Sequence, residues 1–484
     1  MAPGDSAALG TPDGRSSRLP HGTVFEPDAS IEWFGDDVVA GGSPWRLIRL
    51  TERGGRALRS WIAGSSLGDD PAEARLARRL VNAGMLRPVL APRLPPAGDV
   101  DVIVPVFDDR RGLDALLASL GASVARLVTV VDDGSSDPSA LQSVAAAHGA
   151  RVIRREHRGG PGAARNSGLA ATAAPIVAFL DADVVASHST LTTLYAQFDD
   201  PLLAAVAPRV RGPRGGGALA RFERAASPLD LGPSPGVVRP GAAVAYLPAA
   251  ALMCRRTALA SGFDESFLVG EDVDLVWRLV EDGWLVRYVP TIEVAHPARA
   301  TMTAWLAQRV AYGRSAAALE ARHGDAAAPL RADLRVVATV GLVLAGRPRA
   351  AAAVLATTAA SLGRQLADAG VPVGTGAARR LALRGTAFAI PGLARSMLRS
   401  YAPLVLVAVA ARPLRRTALT VAVIATATRW SRAGRPRPIA EFAALSVLDD
   451  LAYGAGVLQG AIRTRRAGAL VPRLRTSARR ASRT

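Results

Sequence analysis

VDVIVPVFDDRRGLDALLASLGASVARLVTVVDDGSSD (100–137) reads as strand, helix, strand and then a carboxylate pair at a glycine turn. VDVIVPVF (100–107) is a continuous apolar run, and LDALLASL (113–120) repeats apolar residues at helical spacing. RLVTVV (126–131) is a second buried strand. The alternation continues. SALQSVAAAHG (139–149) predicts a second helix, RVIRRE (151–156) a third strand, PGAARNSGLAAT (161–172) a third helix and PIVAFLDAD (175–183) a fourth strand. Strands that are apolar throughout and alternate with helices predict an α/β fold whose parallel sheet is covered on both faces. Ligands of such sheets sit beyond the carboxyl ends of the strands, and the acids of this segment stand there.

On the N-terminal side, APRLPPAG (91–98) is a Pro-rich hinge. Before it, WRLIRLTERGGRALRSWIAG predicts a strand over Trp45–Leu50 and a helix capped by Thr51, and Pro71 opens a second helix that ends near Gly84. Residues 29–95 are therefore expected to form a small α+β module that docks or scaffolds, because it holds no cluster of His, Asp or Glu. Residues 1–28, rich in Gly, Pro, Ser and Asp, read as a disordered leader. The leader lacks the apolar core of a secretory signal, so a cytoplasmic catalytic region is expected. The catalytic domain is expected over 98–325 and a helical region over 326–484.

The helical region contains RVVATVGLVLAG, AAAVLATTAASLG, YAPLVLVAVAA and TALTVAVIATATRW. Their uninterrupted apolar cores run about 10 to 15 residues, short of the roughly 20 that cross a bilayer. Hairpins entering a membrane partway, amphipathic surface helices and a helical bundle all fit. Charge adds a partner. All 59 cationic residues are Arg, against 41 acidic ones, for a net +18. Ala411–Thr484 carries 15 Arg against Glu441, Asp449 and Asp450, a net +12. Such a tail suits an anionic membrane surface, at about 1 kcal/mol per residue. Nucleic acid is disfavoured, since aromatic residues are 5% of the chain and none interleave with the arginines as a stacking platform. Cys254 is the single cysteine, which excludes an intrachain disulfide and a thiolate metal site.

The acids carry the chemistry. In VVDDGSSD (130–137), Asp132 and Asp133 leave a buried strand together, as groups that contact a base or ribose would. Pro105, on the preceding strand, is counted as a nucleotide contact with them. In AFLDADVV (178–185), two carboxylates one residue apart repel unless a cation offsets them, and hard divalent ions take such oxygens with diphosphate oxygens completing the shell. Asp183 is the expected direct ligand of such an ion, with Asp181 reaching the ion or the ribose. HRGGPGAARNSGLA (157–170) offers Arg158, backbone N–H groups, Arg165 and Asn166 to a diphosphate at a helix start. FDESFLVGEDVDLVWRLVEDGW (263–284) puts Glu271 and Asp272 at the start of another helix. Asp272 is the expected general base toward an acceptor hydroxyl, and Glu271 helps place that acceptor. One base without a nucleophilic carboxylate implies single displacement with inversion. His296 follows a strand-like run and is expected to line the site. In QRVAYGRS (308–315), Gln308, Arg309 and Arg314 are expected to reach the diphosphate or acceptor, and Trp305 or Tyr312 to stack on a sugar.

VDVIVPVFDD, VDDGSSD, GGPGAARNSGL, FLDADV, GFDESFLVGEDVDLVWRL and YGRS, occurring in that order, resemble the family 2 inverting glycosyltransferases. The resemblance covers roughly Val100 to His323. It implies the GT-A nucleotide-diphospho-sugar transferase fold, Asp132 at the uracil or ribose, Asp183 on Mg²⁺ or Mn²⁺ and Asp272 as base. Processive members carry Gln-x-x-Arg-Trp, from which QRVAYGRS departs. SPWRLIRLTERG and LARRLVNAGML resemble peptide-recognition modules of the small winged type. The front and rear segments also resemble the branch of the family that decorates a peptide-derived redox cofactor. That branch implies UDP-glucose as donor and a β-1,4-linked oligoglucoside on the acceptor, with the enzyme at the cell membrane and its catalytic domain facing the cytoplasm. Acceptors of lipid or cell-wall type remain the alternative within the family, and a non-catalytic membrane scaffold the alternative outside it.

Overall fold

The computed structural model describes residues 17–121, 127–368, 370–371 and 374–475. Residues 1–16 of the expected leader, Arg126 at the start of the second expected strand and residues 476–484 of the basic tail lie outside them. The chain divides into two compact units. The first runs to Gly216 and includes Ser227–Ala298; the second comprises Gly217–Ala226 and the residues from Arg299 onward.

The first unit opens with the short strands β1 (Val24–Pro27), β2 (Glu32–Phe34), β3 (Val38–Gly41), β4 (Arg46–Arg49) and β5 (Leu86–Val89). They are followed by β6 (Val100–Val106), β7 (Val128–Asp132), β8 (Arg151–Arg154), β9 (Ile176–Leu180), β10 (Leu203–Arg211), β11 (Gly236–Val237), β12 (Ala251–Arg255) and β13 (Leu285–Ala295). The latter eight form one sheet in the order β11-β13-β10-β12-β9-β6-β7-β8. The four strands read from the sequence form the parallel set β9-β6-β7-β8. The wholly parallel expectation fails beyond them. β12 runs antiparallel to both β9 and β10, so the sheet is mixed. Val102, Ile103 and Val104 are fully buried, as are Val130, Val131 and Phe179.

The front module belongs to this unit. Arg46–Arg49 pairs with Val38–Gly41, which pairs with Glu32–Phe34. The helices Glu52–Ile62 and Pro71–Asn82 follow, with Thr51 accepting from Gly54 N and Asp70 from Ala72 N as caps. The ordered chain starts earlier than its composition suggests. Val24–Pro27 pairs with Leu86–Val89, and Leu19 and Phe25 are buried in the same apolar core as the central sheet. Gly and Ser set the local bias of this stretch, but its apolar side chains find partners more than 50 residues away.

Nor is the module an appendage. Arg78 donates to Asp200 at 2.6 and 3.1 Å, and Arg287 of β13 donates to the same carboxylate at 2.9 Å. Asp200 is 1% exposed. Burial alone would raise its pKa, but Arg287 and Arg78 outweigh burial and hold it below the ordinary carboxylate range. A depressed pKa contributes stability above the unfolded value of about 3.9, and that stability is lost as pH falls through the folded one. Asp200→Asn leaves two buried guanidinium groups short of an anion and is expected to cost about 3–5 kcal/mol. That is on the order of 10 °C in the melting temperature of this unit. An unchanged thermal unfolding curve would show that the triad holds nothing together.

The second unit is helical: Ala218–Ala226, Met302–His323, Leu334–Leu344, Pro348–Asp368, Thr375–Ser400, Ala402–Ala410, Arg415–Arg432 and Ile439–Thr464. Met302–His323 and Ile439–Thr464 touch through backbone. A Cβ on Gly313 would meet Tyr453 O at 2.0 Å, and one on Gly456 would meet Val310 O at 2.1 Å. The basic tail expected from Ala411 is thus largely folded helix, and Arg429 within it is a buried ion-pair partner of Asp449 at 2.7 Å. No single described helix is long and apolar enough to cross a membrane.

Candidate active site

The strand ends of the first unit bring most of the expected residues together, but several do different work from that expected. Asp132 closes β7. Its carboxylate accepts from Ser135 N at 2.8 Å and from Arg154 at 2.5 Å. Asp133 is turned to the neighbouring loop, where it accepts from Gly159 N and Gly160 N, the latter at 2.7 Å, and pairs with Arg155 at 2.8 Å. Two expectations are corrected here. Asp133 is a loop anchor, and those glycine N–H groups already serve it instead of standing open to a diphosphate. Arg158 remains exposed and stacks on Phe107, 3.9 Å from the ring centroid. Pro105 is half-buried on β6, paired in register with Val131.

Asp181 and Asp183 follow β9 as expected. A bridge between Val185 and Ala295 brings their turn to the end of β13, where His296 stands. Ligand atoms of Asp181, Asp183 and His296 lie within 4.8 Å of one another. His296 Nδ1 lies 2.9 Å from Pro297 O, which can only accept, so that nitrogen carries the proton. The Nε2 lone pair then faces Asp183 Oδ1 at 3.4 Å. Two acceptors face each other stably only across a cation or an added proton. The donor set, two carboxylates and a neutral imidazole, fits a divalent ion such as Mn²⁺. His296 thus joins the acids instead of merely lining the site.

Arg165 is the main correction. It opens the helix Pro161–Ala170 but is 2% exposed, donating to Asp181 at 2.6 Å and to Glu271 at 2.7 Å. Burial works against its charge, but Asp181 and Glu271 outweigh it and raise its pKa. It therefore ties the DAD turn to the helix Glu271–Glu281 from inside. Asn166 is likewise internal. Its amide donates to Phe263 O and Glu265, and its oxygen accepts from Phe263 N, which fixes the loop before that helix.

Gly270, at φ 89°, turns the chain so that Glu271 and Asp272 sit at a helix N-terminus. Asp272 is half-buried and accepts from Ala249 N at 3.1 Å and from Val273 N at 2.8 Å. Burial pushes its pKa up, and the nearby Asp181 adds to that, against the pull of the two N–H groups and Arg165. Glu271 is pushed up to about 7 by burial and by Asp272, against Arg165. One guanidinium thus joins Asp181, a candidate metal ligand, to Glu271, the chain neighbour of the candidate base.

Gln308, Arg309 and Arg314 belong to the second unit. Arg309 is 1% exposed and bonded to Asp449, Glu223 and Gln308, so its donors are spent internally. Trp305 is buried against Phe222 and donates to Glu223, which corrects its expected role under a sugar. Arg314 is exposed and donates to Gln459 at 3.0 Å. Sequence reasoning missed Arg154, Phe107 and Asp108 at the mouth. Asp108 has φ 53°, unusual for a residue with a side chain, and accepts from Ser136. The paired arginines ending RVIRR were the available signal for Arg154.

The acid pair after β9, the imidazole after β13 and, through Arg165, the start of the helix Glu271–Glu281 meet at the strand ends, where sheets of this kind hold ligands. Residues 101–259 match Glycosyl transferase family 2, and the chain belongs to that family. It is therefore a glycosyltransferase of GT-A fold, here with a mixed sheet and C-terminal helices. The chain is 38% identical to the pre-mycofactocin glycosyltransferase of Mycobacterium tuberculosis, across 95% of this chain and 100% of that one. Among solved structures, the mannosyltransferase PcManGT from Pyrobaculum calidifontis, in complex with GDP-Man and Mn²⁺, matches at 19% identity and TM-score 0.37, over 69% of this chain and 88% of that chain. Glucosyl-3-phosphoglycerate synthase from Mycobacterium tuberculosis, in complex with Mn²⁺, UDP-glucose and phosphoglyceric acid, matches at 25% identity and TM-score 0.34, over 46% and 79%.

Proposed function

We propose that this glycosyltransferase moves a hexose, glucose from UDP-glucose, onto a mycofactocin precursor with inversion at the anomeric carbon, and can extend it into a short β-1,4-glucan. The observation that supports this reading is Arg165 joining Asp181 to Glu271, the chain neighbour of Asp272. Asp181, Asp183 and His296 would hold Mg²⁺ or Mn²⁺. Such an ion, when bound, offsets the charge of the departing nucleoside diphosphate. Asp272 accepts the proton of the acceptor hydroxyl, whose oxygen forms the new bond to the anomeric carbon as the bond to the diphosphate breaks on the opposite face. Arg158 and Arg154 offer positive charge at the nucleotide end. The acceptor assignment is supported by similarity over the full length of the pre-mycofactocin glycosyltransferase.

Two further parts belong to this reading. The front module, three antiparallel strands followed by two helices, acts as a winged-type recognition module for the peptide-derived acceptor or the protein presenting it. A pocket lined by Arg49, Thr51, Arg53, Leu76 and Arg79 supports that role. The second unit, with its excess of arginine, holds the enzyme at the anionic inner face of the cell membrane, with the catalytic unit in the cytoplasm. The test is mass spectrometry of precursor acceptors incubated with a panel of nucleotide sugars and Mn²⁺. A mass increase of hexose units with UDP-glucose is expected. Transfer only to lipid or cell-wall acceptors would move the enzyme to another substrate within the family.

A further inference from the structure

From Ala369 to Ala440 the chain holds twelve arginines and no carboxylate. Arg399 and Arg429 turn inward to Asp449 and Asp450. Arg412, Arg415 and Arg416 are exposed between the helices Ala402–Ala410 and Arg415–Arg432. The same hairpin buries Val405, Ala418 and Ala425 against Ala394 and Leu398 of the helix Thr375–Ser400. Its other side shows Leu404, Leu406, Val407, Leu414, Leu419 and Val423, each between 48% and 67% exposed. Arg415 holds the turn by donating to Val409 O at 2.9 Å. An apolar surface ringed by cations in one hairpin is uncommon on a water-facing helix pair.

We infer that the hairpin from Leu404 to Val423 lies along one leaflet of an anionic bilayer, with its exposed apolar side in the acyl chains and Arg412 and Arg416 on the headgroup phosphates. This rests on the reading that the second unit works at a membrane. Length rules out a span by this helix. The nine residues of Ala402–Ala410 span about 14 Å as a helix, under half of the roughly 30 Å hydrocarbon core. The helix also meets Thr375–Ser400 at 92° instead of extending it. Charge selects the occupant. A second copy packed face to face on this patch would oppose arginine with arginine and supply no carboxylate from the whole 369–440 segment. Lipid phosphates supply the missing anions.

The test is flotation of the full chain with vesicles of phosphatidylcholine alone or mixed with phosphatidylglycerol. The wild type is expected to float with the mixed vesicles. Leu404→Asp with Val407→Asp should lower the bound fraction tenfold or more. Arg412→Gln with Arg416→Gln should lower it several-fold on mixed vesicles only. Circular dichroism and vesicle-free transfer should match the wild type for both pairs. Removal of residues 476–484 should leave most binding in place. If binding vanishes with those residues and survives both pairs of substitutions, membrane association stands and hairpin insertion is overturned. If the wild type never floats, or light scattering shows a dimer that Leu404→Asp disperses, the membrane assignment falls as well. Neither result touches the transferase chemistry, which is measured without vesicles.

Discussion

Asp272→Asn is expected to lower the transfer rate by about 10²- to 10⁴-fold, the span of general base catalysis, while donor binding stays near wild type. Asn keeps the size of the side chain and can still accept from Ala249 N, so the helix start should survive. What it loses is the ability to take a proton. Isothermal titration with the nucleotide sugar separates the two quantities, and an equal fall in binding and transfer would make Asp272 a structural residue. The pH profile gives a second handle. Because burial raises the pKa of Asp272, the acid limb of the rate should lie above the ordinary value of about 3.9. Arg165 opposes that rise, so Arg165→Gln should move the limb to still higher pH. A limb that stays in place or moves down would separate Arg165 from the base.

The four parallel strands β6 to β9, two of which lead into the acid pairs, were legible because each is a short extended run closed by a turn signal, and pattern alone fixes such elements. β12 was not, because ALMCR carries no mark of direction and its antiparallel placement is set by β9 and β10 on either side. The carboxylates of the site were legible for a related reason. Two acids leaving a buried strand together repel, so Asp181 and Asp183 point to a cation, whereas Asp133 is taken up by Gly159 N, Gly160 N and Arg155. Arginines give no such signal. Arg165 was expected at the diphosphate and Arg309 at the diphosphate or acceptor. Arg165 is instead shared between Asp181 and Glu271, the latter 106 residues away, and Arg309 between Glu223 and Asp449, 86 and 140 residues away. Whether an arginine is a ligand-binding group or half of a buried ion pair depends on long-range folding. The same limit hid Asp200, whose partners Arg78 and Arg287 lie 122 and 87 residues away.

Asp183→Asn should abolish the response of donor turnover to divalent ions, a loss of about 10²-fold or more if a bound cation contributes several kcal/mol at the leaving group. The readout independent of turnover is Mn²⁺ binding followed by electron paramagnetic resonance. The reasoning turns on His296. With its Nδ1 proton committed to Pro297 O, its Nε2 can face Asp183 Oδ1 at 3.4 Å only if something positive lies between them. If that something is a cation, then Asp183→Asn and His296→Ala should each weaken Mn²⁺ binding, and the double substitution should weaken it less than the sum, since both remove ligands of one ion. If it is a proton, His296 is an imidazolium paired with Asp183. Mn²⁺ affinity would then be indifferent to His296→Ala, and nitrogen NMR would show both ring nitrogens of His296 carrying protons. The two outcomes exclude each other, and the second would leave Asp181 and Asp183 as a nucleotide contact without a metal.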